Sequence, residues 1–146
     1  MQLLLLRHGL AEDVGPDSSD DTRRLTDEGI RNAIAVTDAL ARFADKPELI
    51  LTSPKTRAVQ TAEIAGQAFG APVQVLDLLG ANSPDSIISD LPFRKESRLM
   101  LVGHEPSFGA TAERLCHNTW EGYMPLKPAG CICLEVFCDP DTDSIA

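Results

Sequence analysis

Arg7-His8-Gly9 directly follows the apolar run Leu3-Leu4-Leu5-Leu6. A strand here delivers a guanidinium and an imidazole together at its carboxyl end, where open α/β sheets bind ligands. A neutral imidazole is a nucleophile toward phosphorus, and a planar guanidinium beside it holds two phosphate oxygens at once. Any strand can end in Arg-His, so the weight comes from recurrence. Glu48-Leu49-Ile50-Leu51-Thr52 reads as a second strand, followed by Ser53-Pro54-Lys55-Thr56-Arg57. Ser53 suits an N-cap and Pro54 the first helical position, so unpaired N–H groups and Arg57 should meet near that strand end. A third strand, Arg98–Val102, leads through Gly103 to His104, just before Glu105-Pro106, where another helix can start. One predicted sheet edge thus collects His8, His104, Arg7 and Arg57, a set suited to an anion.

The elements that must position these residues alternate along the chain. Strand Gln2–Leu6 is followed by a polar loop from Glu12 to Arg24. Thr26 caps a helix over Asp27–Phe43, with Ile30, Ala33, Ile34, Val36, Thr37 and Leu40 as its apolar stripe. The second strand leads to a helix over Pro54–Phe69, stopped by Gly70-Ala71-Pro72, and then to a short strand Val73–Leu76. Asn82-Ser83-Pro84 opens a helix to Leu91, a helix spans Ser107–Cys116, and Cys131–Phe137 forms the last strand. Such alternation implies an α/β fold, a mostly parallel central sheet with helices on both faces in three layers, α/β/α. The loop from His117 to Pro128 holds Trp120 and Tyr123, and it lies near the site, covers a helix or contributes to core packing.

The 146 residues are expected to form one domain over 1–146, large enough for a core between sheet and helices. No apolar run approaches a membrane span, and the N-terminal leucines are too few for a secretion signal, so the cytoplasm is expected. A net charge of −9, without a Lys/Arg cluster, argues against nucleic acid. The acidic residues are expected to stay spread over loops such as Asp13 to Asp21 and the Asp139–Asp143 tail, while the cations converge. Four cysteines invite a metal reading, but Cys131-Ile132-Cys133 lies in a predicted strand with both thiols on one face, unlike paired Cys-x2-Cys spacing. Buried reduced thiols are expected, with no metal and no cofactor.

Four motifs in order resemble the histidine phosphatase superfamily, which includes the cofactor-dependent phosphoglycerate mutases and acid phosphatases. They are Arg7-His8-Gly9, Arg23-Arg24-Leu25-Thr26-Asp27-Glu28-Gly29, Ser53-Pro54-Lys55-Thr56-Arg57-Ala58-Val59-Gln60-Thr61-Ala62 and Val102-Gly103-His104-Glu105-Pro106. The chain looks most like the small SixA-type phosphohistidine phosphatases. The resemblance implies a phosphoglycerate mutase-like fold and a covalent phosphohistidine intermediate. His8 would be the nucleophile, with its Nδ1–H held by a backbone carbonyl, and Arg7 and Arg57 would hold the phosphoryl oxygens. His104 would donate a further hydrogen bond as imidazolium. Arg23 would reach the phosphate or the substrate's rim, or pair with a nearby aspartate. Glu12 could orient the site, although acidic loop residues are usually only solvated.

Departures from the family narrow the substrate. The stretch after the third strand, Leu76-Asp77-Leu78-Leu79-Gly80-Ala81-Asn82, holds no glutamate where the mutase branch places an acid for the leaving alcohol. Phosphohistidine, whose imidazole can take its proton from solvent, needs that acid less than an ester does. Glu105 stands where many relatives are neutral; it could raise the His104 pKa, act as surrogate acid, or face solvent. The short spacing between motifs leaves little room for a lid, so an open, shallow pocket is expected. The partner is therefore a phosphorylated protein, or a small phosphate ester if the chain is a general phosphomonoesterase. A phosphate-binding module without catalysis is the remaining alternative.

Overall fold

Four consecutive leucines can be buried only if both faces of their strand meet helices. In the computed structural model, which describes residues 1–16, 19–81, 83–117, 123–139 and 144–145, β1 (Gln2–Arg7) meets this condition. The five-stranded sheet runs β3 (Val73–Val75), β2 (Leu49–Thr52), β4 (Arg98–Gly103), β1 and β5 (Cys131–Glu135). The first four strands are parallel and β5 pairs antiparallel with β1. A separate two-stranded ladder joins β6 (Cys138–Asp139) to β7 (Ser144–Ile145).

Alternate strand residues serve two layers. Leu3, Leu5, Leu51 and Leu101 pack with Ile87 of α3 (Pro84–Asp90) and Phe108 and Ala112 of α4 (Ser107–His117). Leu4, Leu6, Ile50, Met100 and Val102 pack with Ala58, Ala62 and Ala65 of α2 (Thr56–Phe69), and with Val36 and Leu40 of α1 (Asp27–Phe43). Small residues on α2 let its backbone approach the sheet closely. The result is the mostly parallel, three-layer α/β/α arrangement that the alternation of elements predicts.

Helix α1 has the expected limits, and the Thr26 hydroxyl accepts from Gly29 N at 3.0 Å. Ile34 departs from the expected stripe and is 44% exposed, because it lies about 100° around the helix from Ala33. Helix α2 begins at Thr56 rather than Pro54, and its cap Lys55 offers no side-chain bond. Helix α3 begins at Pro84, where Ser83 accepts from Ser86 N. Strands β1 and β4 run one residue further than expected, to Arg7 and Gly103. Strand β3 stops at Val75, while β5 ends at Glu135, after which Val136 exchanges hydrogen bonds with Met1.

Among the described residues the thiols of Cys116, Cys131 and Cys133 are free but less buried than expected: Cys131 is half-buried, and Cys133 and Cys116 are exposed. Strand β5 is a sheet edge and its faces are only partly covered. Burial still pushes the Cys131 thiol up to about 12, so it stays protonated. Among the described residues no group of three or more His, Cys, Asp or Glu is gathered as for a metal, and no helix is long and apolar enough to cross a membrane. Asp17, Asn82, Trp120 and residues 140–143 of the acidic tail lie outside the described residues.

Gly70 ends α2 in the left-handed conformation, at φ 62°, with its N–H bonded to Gly66 O. A Cβ there would meet nothing nearer than Lys46 Nζ at 3.7 Å, so backbone strain alone opposes substitution. Gly70→Ala should lower the urea-unfolding free energy by about 1 kcal/mol. Turnover should be unchanged, since Gly70 lies at the end of α2 opposite Arg57.

Candidate active site

Strands β2, β4 and β1 end side by side. Arg7 stands opposite Gly103, and the ladder continues one step further as His8 N donates to Gly103 O at 3.0 Å. On the other side of β4, Ser53 N donates to Val102 O at 3.0 Å. The rings of His8 and His104 thus come within 5.1 Å, centroid to centroid, with their planes tilted by 57°. The first turn of α2 returns Arg57 to the same place, where its Nε donates to His8 Nε2 at 3.1 Å. The structure therefore brings together all four residues singled out from the sequence.

His8 has the tautomer that the family resemblance predicts. Its Nδ1 donates to Gly9 O at 2.7 Å, leaving the Nε2 lone pair to accept from Arg57. Burial is the main reason that its pKa falls to about 4; the Gly9 carbonyl opposes this, and Arg57, Arg7 and Arg23 add to it. The imidazole is neutral at physiological pH.

His104 differs from the expected imidazolium. The residue is 3% exposed, and burial, followed by the charges of His8, Arg57 and Lys55, lowers its pKa to about 3 against the pull of Asp20. It is a neutral ring in the free protein. Its Nε2 bonds Ser53 Oγ at 2.7 Å, and its buried Nδ1 has no partner among the described residues. Ser53 is thus not the helix cap it resembles; its hydroxyl accepts from Lys55 N at 3.3 Å and orients His104. Arg7 is held at one end, with Nη1 donating to Leu126 O at 2.6 Å, while its buried Nε is also without a partner among the described residues. Two buried nitrogens at one strand edge are therefore left for a ligand.

The expected separation of acids from cations does not hold. Asp20, in a single 3-10 turn over Asp20–Thr22, carries a carboxylate that meets Lys55 Nζ at 2.7 Å, Arg23 Nη1 at 3.0 Å and Arg57 Nη2 at 3.1 Å. Its main-chain oxygen also accepts from Arg57 Nη1 at 2.6 Å. Lys55 and Arg23, and then Arg57, hold this carboxyl well below the usual carboxylate range. Converging cations repel one another, and Asp20 supplies the counter-charge. Arg23 is thus paired with an aspartate, and its Nε donates to Glu12 O; Glu12 contributes a carbonyl, while its residue is exposed.

Lys55, Asp20 and Ser53 are the site residues that sequence reasoning did not assign. Lys55 and Ser53 lie inside the quoted Ser53–Ala62 motif; Asp20 sits in an acidic loop with no motif to mark it. Asp77 lines a recess of about 240 Å³ with Asp21, Pro54, Lys55 and Gly80. Of the three roles open to Glu105, the first is not met, since the His104 pKa is lowered and Glu105 is not among the groups that set it; the carboxylate instead accepts from the Tyr123 hydroxyl and from Leu126 N at 3.1 Å. Tyr123 reaches Glu105 beside the site while its ring packs on Gly109 of α4, and at 47% exposure it is not a core residue. The Asp20 turn also rests on Arg57, which is 5% exposed.

The family described as Histidine phosphatase superfamily (branch 1) matches residues 3–80, more than half of the chain. The chain belongs to this superfamily. The sequence is 35% identical over 140 residues to a protein of Picosynechococcus sp., covering 92% of this chain and 85% of that one. SixA from Agrobacterium tumefaciens is similar with a TM-score of 0.81 and 28% identity, over 92% of this chain and 90% of that chain. Two complexes share the fold. The protein histidine phosphatase SixA with tungstate has a TM-score of 0.78 and 23% identity over 100% of this chain and 93% of that one. The mycobacterial glucosyl-3-phosphoglycerate phosphatase with VO3 has 0.73 and 20% over 99% and 94%.

Both site histidines have folded pKa values below the ordinary 6.5, so the unfolded chain binds protons that the folded site rejects. Stability is fullest above about pH 6.5 and falls as pH drops toward 4. Nitrogen NMR of the rings should show His8 and His104 neutral from about pH 7.5 to 5.5, with the His8 proton on Nδ1. A charged ring in that window would contradict the site's electrostatics.

Removing the internal carboxylate should favour an external anion. Asp20→Asn should tighten competitive inhibition by inorganic phosphate by about twofold to fivefold, the range of a half-exposed ion pair. Weaker inhibition would mean that Asp20 arranges the cations more than it neutralises them.

Proposed function

We propose that the protein is a phosphatase acting through His8, and that its substrate is phosphohistidine carried on a protein. The observation that carries the first half is the hydrogen bond from His8 Nδ1 to Gly9 O, which leaves Nε2 unprotonated beside Arg57 and His104. A phosphoryl group entering here competes with Asp20 for the Arg57 Nη groups and draws that guanidinium off the His8 lone pair. Arg7, through its unpaired Nε, and Arg57 then take up the charge on the phosphoryl oxygens. His104 donates from Nδ1, and the arriving negative charge raises its pKa from the low free value. The Nε2 lone pair forms the P–N bond to His8 as the bond to the leaving group breaks, and water subsequently cleaves the phosphohistidine.

The leaving group decides the substrate. Both Glu105 oxygens accept hydrogen bonds from other groups, so this carboxylate is poorly placed to protonate a departing alkoxide. A phosphoramidate avoids that demand, because an imidazole leaves as a neutral base once protonated by solvent. The similarity to SixA from Agrobacterium tumefaciens, named as a phosphohistidine phosphatase, supports the same substrate class. A phosphomonoester reading draws on one observation: Asp77 shares its recess with Lys55, within the surroundings of the site, and could serve as the missing acid.

His8→Ala should abolish turnover, and rapid alkaline work-up of the intact enzyme should trap acid-labile phosphate on His8. Among phosphohistidine protein, phosphoserine peptide and sugar phosphates, the first should be turned over fastest. Asp77→Asn should leave phosphohistidine turnover within a few-fold. A loss above about 100-fold in kcat on that substrate would make Asp77 the general acid and favour the ester reading.

A further inference from the structure

Glu105 connects the turn after β4 to the segment that holds Arg7. One carboxylate oxygen accepts from the Tyr123 hydroxyl and the other from Leu126 N. The carbonyl of the same Leu126 accepts from Arg7 Nη1 at 2.6 Å. The segment continues to brace the end of β1: Ala129 N donates to His8 O at 3.1 Å, and Arg7 N donates to Gly130 O at 2.9 Å. It is also pressed against α4, where a Cβ on Gly109 would lie 2.3 Å from Met124 O and 2.4 Å from the Tyr123 ring. This grip holds the Nη1 corner of Arg7, whose buried Nε has no partner among the described residues.

We propose that Glu105 is a positioning residue for Arg7, fixing the Leu126 carbonyl and through it the angle at which the guanidinium meets phosphate. The inference rests on Arg7 being a phosphate ligand, as proposed above. Among the described residues Glu105 has no hydrogen bond to His8 and does not line the recess, and its hydrogen-bonded route to Arg7 runs through Leu126. An arginine released from that carbonyl keeps its charge but loses the fixed fork that makes a bidentate contact productive.

The test is a double-mutant cycle with Glu105→Gln and Arg7→Lys, read as inorganic phosphate binding by calorimetry and kcat/KM on p-nitrophenyl phosphate. Glu105→Gln should weaken phosphate binding and lower kcat/KM by about tenfold when Arg7 is present, as loss of an orienting partner does. In the Arg7→Lys background it should cost less than about twofold. Equal losses in both backgrounds would overturn the proposal, as expected of a merely structural residue or a general acid. If Arg7→Lys alone leaves phosphate affinity unchanged, the assignment of Arg7 as ligand fails instead. Tyr123 is the chain's single tyrosine, and its bond to Glu105 raises its pKa. Its phenolate absorbance should therefore appear at lower pH in Glu105→Gln, and an unmoved titration would mean that the clamp does not exist in solution. Should Glu105→Gln not fold, Tyr123→Phe replaces it in the same cycle, with a smaller loss that must again vanish with Arg7→Lys.

Discussion

The register of β1 against β4 is the constraint on which the rest of the site depends. With Leu3 opposite Leu99 and Leu5 opposite Leu101, one set of leucines faces α3 and α4, and the set between them faces α1 and α2. A slip of one residue would exchange the two sets, so burial of the core holds the pairing in place. The same pairing sets Arg7 opposite Gly103 and extends to the His8–Gly103 hydrogen bond. The two site histidines are therefore neighbours because the leucines beneath them have to be buried where they are. Stability and chemistry share one determinant here, and the apolar side chains far from the site set its geometry to the same extent as the polar ones.

That convergence has an electrostatic consequence. Arg7, Arg23, Lys55 and Arg57 gather at one edge of a chain whose net charge is −9. Protonating either histidine would add charge to a region that is already positive and partly dry, so both rings stay neutral. The remaining repulsion is offset by Asp20, whose carboxylate answers three of the cations. Burial, reinforced by this field, thus keeps His8 unprotonated, and the field leaves the site attractive to a dianion stronger than the carboxylate it already holds. An acidic protein with a cationic pocket is the expected result of such segregation, but the counter-ion is drawn from the nearest acidic loop instead of being kept apart.

Much of this was legible in the sequence because the informative signals are local. The unbroken apolar run of leucines, the Thr26 cap and the alternation of elements gave the α/β/α layers. Three strand ends carrying Arg7-His8, Arg57 and His104 gave the edge where they meet. What escaped are the choices that a local signal cannot make. Ser53 has the residue type and position of an N-cap, yet its hydroxyl is taken by His104, which only the tertiary fold brings within reach. Ile34 lies close to the apolar stripe of α1 but falls just beyond the arc that the sheet covers. His104 was expected as a cation on the chemistry of its role, whereas its protonation in the free protein follows from burial, a property of the whole domain. Glu105 had three roles open to it from sequence, whereas its contacts are with Tyr123 and Leu126, about twenty residues away along the chain.

A deeper reason lies in what orients the functional side chains. His8 is set by Gly9 O, Arg7 by Leu126 O, Arg57 by Asp20 O and Arg23 by Glu12 O. In each case a main-chain carbonyl fixes a reactive group, and every residue type supplies one, so sequence composition leaves no trace of the choice. The arrangement also makes the site robust to substitution at the residues that lend those carbonyls, provided that the backbone stays in place. Sensitivity then shifts to whatever holds the backbone: the sheet register for Gly9, the Lys55 and Arg23 ion pairs for Asp20, and the Glu105 carboxylate for Leu126. A site organised in this way exposes few diagnostic side chains beyond those that touch substrate, which is why its motifs are short while its geometry draws on the β1 end, the Asp20 turn and the Tyr123–Gly130 segment together.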